Sequence, residues 1–214
     1  VSSVGSATGY YAYVSAGISL SAHDALTTGS ITTNVQATGT ANADGNGTSY
    51  GQAYGAVSLS AGRTLTVGAI NTNASASGNL GGYSSAAISL NTRQNCIGNC
   101  STLTLGGIIS TQGISSNSVG TLSQNGTVNL SAVGGGINTN GKDIFASGPL
   151  TMTAQNAYDY VNNVPGIGGD ISTGVLTALR SSVDARRNAR TPTVAGISAG
   201  PPPPDPPPPT QRPP

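Results

Sequence analysis

One four-residue phrase returns five times along this chain and restricts its fold more than any other feature. The copies are Ile31-Thr32-Thr33-Asn34, Ile70-Asn71-Thr72-Asn73, Ile109-Ser110-Thr111-Gln112, Ile137-Asn138-Thr139-Asn140 and Ile171-Ser172-Thr173-Gly174, with 39, 39, 28 and 34 residues between successive Ile positions. A second phrase precedes it four times: Ile18-Ser19-Leu20, Val57-Ser58-Leu59, Ile88-Ser89-Leu90 and Val128-Asn129-Leu130. Repetition at a fixed interval is the mark of stacked architectures. The distance from the second phrase to the next Ile is 13 residues in the first two units and 21 in the third. That excess equals the length of Arg93 to Cys100, which therefore reads as an insertion at a turn. The fourth distance, 9 residues, is a shortening.

Each phrase alternates apolar and polar residues, the period of a half-buried strand. Between Val57 and Asn73 the alternation points Val57, Leu59, Leu65, Val67, Ile70 and Thr72 inward, and Ser58, Thr66 and Asn71 outward. Gly62 and Gly68 mark bends between three short strands. Three strands with open corners describe one coil of an all-β solenoid, with parallel strands stacked at ~4.8 Å. A 39-residue unit is then two rungs of about 20 residues, and the repeat region, 1–175, builds about eight or nine rungs. On this reading Ile31, Ile70, Ile109, Ile137 and Ile171 form one core ladder. Asn34, Asn73, Gln112 and Asn140 form a ladder of amides at a corner. The stretches 35–56 and 74–87 lack large apolar residues, and read either as rungs with small interiors or as loops lying on the rod. Six tyrosines fall in such stretches: Tyr10, Tyr11, Tyr13, Tyr50, Tyr54 and Tyr83. An antiparallel β-sandwich also has many short strands but does not repeat sequence at a fixed interval.

Composition agrees with this and restricts function. Only 7 % of the residues are charged, against about 25 % in ordinary soluble domains, and Glu and Trp are absent. So few long-chain helix formers exclude a helical bundle or coiled coil. A net charge of +1 with a single lysine gives no footprint for nucleic acid. No apolar run is long enough to span a bilayer as a helix, so no transmembrane segment is expected. Val1 follows neither an initiator Met nor a signal peptide, which fits a mature or excised segment. The acids Asp24, Asp44, Asp143, Asp159 and Asp170 are scattered, whereas acid–base chemistry needs titratable groups brought together. His23-Asp24, the one His–acid neighbour pair, reads as a turn, and no enzyme is expected. Gly166 to Asp170 echoes a calcium-binding turn only once, and zinc would need more ligands than Cys96, Cys100 and His23. No cofactor or metal is expected.

Cys96 and Cys100 fit a local disulfide in an exported protein, with free thiols as the other reading. Asn46 and Asn125 are the glycosylation acceptors best placed in loops. Residues 176–199 are basic and open to a short helix with Leu176, Leu179 and Val183 on one face, acting as a cap or as a dock for an acidic partner. Residues 200–214 form a polyproline II tail, ~3.1 Å per residue, running through Pro201, Pro204, Pro206 and Pro209. It is a stiff spacer or a clasp for a neighbouring subunit.

The runs ISLSAHDALTTGSITTN (18–34) and VSLSAGRTLTVGAINTN (57–73) resemble the repeats of filamentous-haemagglutinin-type adhesins exported by two-partner secretion. The resemblance covers about residues 14–175. It implies a right-handed parallel β-helix, an outer-membrane secretion partner, a Gram-negative cell surface, and work in adhesion or biofilm matrix. The expected function is a structural surface rod that self-associates into fibres. The alternative is a monomeric module whose Tyr- and Asn-rich flank binds surface glycans.

Overall fold

The computed structural model describes residues 1–40, 49–79, 81–93, 101–117, 126–155, 158–159, 164–165, 170–185 and 193–199. Among these the chain is all-β, dominated by one large parallel sheet system without a helix. The strands recur in threes. A long strand, a four- or five-residue strand and a nine-residue strand make one circuit: β2 (Tyr11–Ala22), β3 (Ala25–Thr28), β4 (Ile31–Gly39); then β5 (Tyr50–Ala61), β6 (Thr64–Val67), β7 (Ile70–Gly78); then β8 (Gly81–Thr92), β9 (Ser101–Leu105), β10 (Ile109–Asn117). β11 (Gly126–Val133), β12 (Gly135–Asn138) and the start of β13 (Ile144–Gln155) make the fourth. β1 (Ser2–Gly9) lies on β4, and β16 (Ile171–Ala185) and β17 (Thr193–Ala199) continue the stack. A small antiparallel pair, β14 (Tyr158–Asp159) and β15 (Val164–Pro165), stands outside it.

Each strand pairs in parallel with its equivalent in the next circuit. Tyr11 meets Tyr50, Leu26 meets Leu65 and Ile31 meets Ile70, all 39 residues apart. A whole 39-residue unit is therefore one circuit, where the repeat alone suggested two rungs of about 20. The longest ladder, β1, β4, β7, β10, early β13, β16 and β17, has seven strands, so the stack is about 29 Å high. The stack is shorter than eight or nine rungs because the small-residue stretches complete the same circuit and add no rungs of their own.

Ile31, Ile70 and Ile109 lie directly over one another, each at most 1 % exposed. The next member of that ladder is Ile144, followed by Leu176. Ile137 and Ile171 belong instead to the neighbouring ladder, Leu26–Leu65–Leu103–Ile137–Ile171. The two ladders share an inward aliphatic residue followed two positions later by an inward Thr, Val, Leu or Ala, and similar wall positions select similar residues. The second phrase stacks as Ile18, Val57, Ile88, Val128 and Leu150.

The second 39-residue interval combines two offsetting differences. Ser77 to Gly81 is eight residues shorter than its counterpart Thr38 to Tyr50. The third circuit regains the eight: seven between Thr92 and Thr102, one between Leu105 and Ile109. The segment carrying Cys96 and Cys100 is thus an insertion at a corner, and the two cysteines lie outside the described residues. Its base is closed by a hydrogen bond from the buried Ser101 hydroxyl to Thr92 Oγ1, 2.5 Å long.

Asn34, Asn73 and Gln112 are in register, but within nine-residue strands and away from any corner. Asn140 is not their equivalent. It occupies a tight turn with Gly141, both at positive φ (52° and 69°), closed by Lys142 N–H donating to Thr139 O. Asn tolerates that conformation because its short amide can bond locally. Its Nδ2 donates to Leu105 O and its N–H to Asn138 Oδ1. Residues 176–185, open to helix in the sequence, are strand: Leu176 pairs with Ile144 and Val183 with Met152. In-register stacking on a preformed edge outweighs a weak helical preference.

The interior has two parts. A wide end holds Val57, Leu59, Leu65, Val67 and Ile70 with their stacked equivalents. A thin end is filled by Val35, Ala37, Ala53, Ala74, Ala76 and Ala86. There β4 and β7 approach β5 so closely that a Cβ on Gly51 would lie 2.9 Å from the Ala37 carbonyl oxygen. Only glycine fits. Where the two parts meet, Thr33, Thr72 and Thr111 stack fully buried, and none of their hydroxyls has a hydrogen-bond partner.

An unpaired buried hydroxyl costs about 1–3 kcal/mol. Thr72→Val is therefore expected to raise stability by about 1 kcal/mol in denaturant titration. Leu59→Ala in the wide core should lower it by about 2–5 kcal/mol.

Candidate tyrosine-lined face

The outward positions of β2, β5 and β8 bring together tyrosines that are far apart in the chain. Tyr11 is the strand neighbour of Tyr50; Tyr13, Gln52 and Tyr83 lie in one row; Tyr54 lies beside Gln52, between Ser15 and Ser85. Alternation explains the placement: Ala12, Gly51, Ala53 and Gly55 turn into the thin core, and each Tyr between them must face out. The rings of Tyr11 and Tyr50 are stacked, 5.7 Å apart and 6° from parallel. Tyr10 sits edge-on to Tyr11 at 4.7 Å. Tyr54 is 5.6 Å from both Tyr13 and Tyr83, and its hydroxyl donates to Gln52 Oε1 at 3.5 Å.

Two shallow troughs cross this face. One, of about 180 Å³, is lined by Tyr50, Gly51, Gln52, Gly81, Gly82 and Tyr83. The other, of about 130 Å³, is lined by Tyr11, Ala12, Tyr13, Tyr50 and Gln52. None of the three strands contains a charged residue. Aromatic planes beside an amide suit ligands with an apolar face and a polar rim.

A larger groove of about 330 Å³ lies over β9, β12 and β16, lined by Thr102, Thr104, Gly136, Ile137, Asn138, Asp170 and Ser172. Asp170 is the one titratable side chain there. The groove's other polar side chains are the hydroxyls of Thr102, Thr104 and Ser172 and the Asn138 amide. Among the described residues no three His, Cys, Asp or Glu side chains gather to hold a metal. No helix of the described residues is long and apolar enough to cross a membrane.

Asp24 lies in the bend between β2 and β3 and forms an exposed ion pair with Arg63, one circuit on. The Arg63 hydrogen bond holds the Asp24 carboxyl below its ordinary range, and Asp24 raises Arg63 in turn. This pair was not legible in the sequence, although the 39-residue separation is its signal. At the thin edge, Ser49 Oγ donates to Asn79 Oδ1 at 3.0 Å and accepts from Asn79 N–H at 3.1 Å, joining successive circuits. Asn46, Asn125 and the tail prolines lie outside the described residues.

No family model, curated protein or solved structure matches this chain. The tyrosine face is therefore read from its own geometry.

Because the folded pKa of Asp24 is depressed, the stabilisation from its pair is present above the ordinary Asp pKa. It is lost as pH falls through the lowered value. Asp24→Asn should lower the melting temperature slightly near neutral pH and not at all in strong acid, and the near-neutral difference should shrink with added salt.

Proposed function

We propose that this chain is a right-handed β-solenoid rod that works as a structural surface protein, stacking end to end within an extracellular fibre or adhesin. The observation that carries this reading is the in-register parallel stacking of equivalent strands through successive circuits. Among the described residues β2 and β3 pair with β5 and β6 alone. Their inward Leu20 and Leu26 are half-buried, whereas Leu59 and Leu65 above them are fully buried. In the proposed fibre the circuit that continues this pairing comes from a second copy of the chain. A head-to-tail contact of this kind does not close on itself and propagates as a filament. The repeat phrases, the near-absence of charge and the resemblance to two-partner-secretion adhesins support a Gram-negative cell-surface setting. There an outer-membrane partner exports the chain, and its polyproline tail clasps the next subunit. The same reading assigns the chain a mechanical rather than catalytic role.

A second reading, a glycan-binding adhesive module, is favoured by the uncharged tyrosine face. The two readings are compatible on one rod, because the tyrosines lie on its side and the proposed stacking contact at its end.

Electron microscopy of the purified chain tests the first reading. End-to-end filaments are expected for the wild type. Leu20→Lys combined with Leu26→Lys should leave dispersed particles with an unchanged far-ultraviolet spectrum, since edge lysines oppose strand addition. Deleting residues 200–214 should weaken filaments as well. Dispersed wild-type particles at all concentrations would contradict fibre formation.

A further inference from the structure

The tyrosine stack on β2 and β5 stops one strand short. Tyr11 covers one face of the Tyr50 ring. On the next strand the partner of Tyr50 is Gly81. A Cβ there would lie 3.6 Å from Tyr50 Cδ1 and Cε1, so a side chain at 81 would rest against the ring. Glycine leaves that side of the ring uncovered. Gly82 follows, and the trough over the two glycines is bounded by Tyr50 on one side and Tyr83 on the other, with Gln52 beside them. The second trough shares Tyr50 and Gln52 and lies one strand away, a spacing of ~4.8 Å.

We propose that the trough over Gly81 and Gly82 binds a pyranose ring of a neutral, unbranched polysaccharide. The inference rests on the second, glycan-binding reading and names its site and ligand class. A pyranose has the required thickness of a single ring. Its C–H face packs on Tyr50 in the place a third tyrosine would take, and its hydroxyl rim meets the Gln52 amide and the tyrosine hydroxyls. A plain aromatic ring would cover Tyr50 as well but would leave the amide facing an apolar edge, an unfavourable exchange for a polar group that loses water. β2, β5 and β8 contain no charged residue to pair with an acidic polysaccharide.

Gly81→Tyr gives a direct test, because it completes the stack at ordinary contact distance instead of removing a support. Calorimetric titration with cellohexaose and chitohexaose is compared with oligogalacturonate and with p-cresol, and a thermal melt of each variant checks the fold. Binding to at least one neutral hexasaccharide is expected, with little change on adding salt. It should weaken about tenfold or more in Gly81→Tyr and Tyr50→Ala, the size of effect of losing a central aromatic contact. Tyr50→Phe, which keeps the ring, should retain it. Three results would overturn the proposal: no neutral saccharide bound, oligogalacturonate or p-cresol bound in preference, or neutral binding unchanged in a folded Gly81→Tyr. The last would leave glycan binding standing and remove it from this trough. Filament formation is read separately and is not affected by any of these outcomes.

Discussion

Like residues stacked at the parallel-strand spacing are the constraint on which the rest of the molecule depends. Once Ile31, Ile70 and Ile109 lie in one column, every residue between them is fixed to a wall or a corner, facing in or out. Each buried aliphatic side chain in such a column contributes about 1.5–3 kcal/mol, and its backbone groups are bonded above and below. A slip by one residue would turn the whole column to water, so register is strongly specified where the core is wide. The thin end is held differently. Small side chains there let two walls meet, with Gly51 at the closest approach, and dispersion between backbones replaces bulk hydrophobic burial.

This division also organises the surface. A wall whose inward residues are Ala and Gly can carry large outward residues without disturbing the core, and it is on the outside of that wall that the tyrosines sit. The tyrosine face and the small-residue interior are two sides of the same strands. The same logic explains why so few charges are needed. Most polar demand is met by the parallel ladders, and the Asp24–Arg63 pair bridges circuits at a corner where side chains already reach water.

Alternation in single strands was fully legible: Val57, Leu59, Leu65, Val67, Ile70 and Thr72 face inward as their spacing predicts. The insertion at the corner before Ser101 was legible in place, but one of the eight extra residues lies instead between Leu105 and Ile109. The length of a circuit was not legible, because stretches of Ala, Gly and Ser carry no hydrophobic signal and their 12-residue strands look like loops. Nor was the separation of the two Ile-Thr ladders. Ile109 and Ile137 begin similar phrases, yet Ile109 is followed in its column by Ile144, which begins a different one. The tyrosine face was half visible. Tyr11 and Tyr50 are one circuit apart, but the eight-residue shortening before Gly81 hides the relation of Tyr54 to Tyr83. The buried threonines were visible as inward positions, and their missing partners were not.

The register of the circuits is tested most directly by main-chain nuclear Overhauser contacts in isotopically labelled protein. Ile70 is expected to be linked to Ile31 on one side and Ile109 on the other, Ile109 to Ile144, and Ile137 to both Leu103 and Ile171. A main-chain link from Ile109 to Ile137, or from Ile31 to a residue about 20 positions along the chain, would contradict this register.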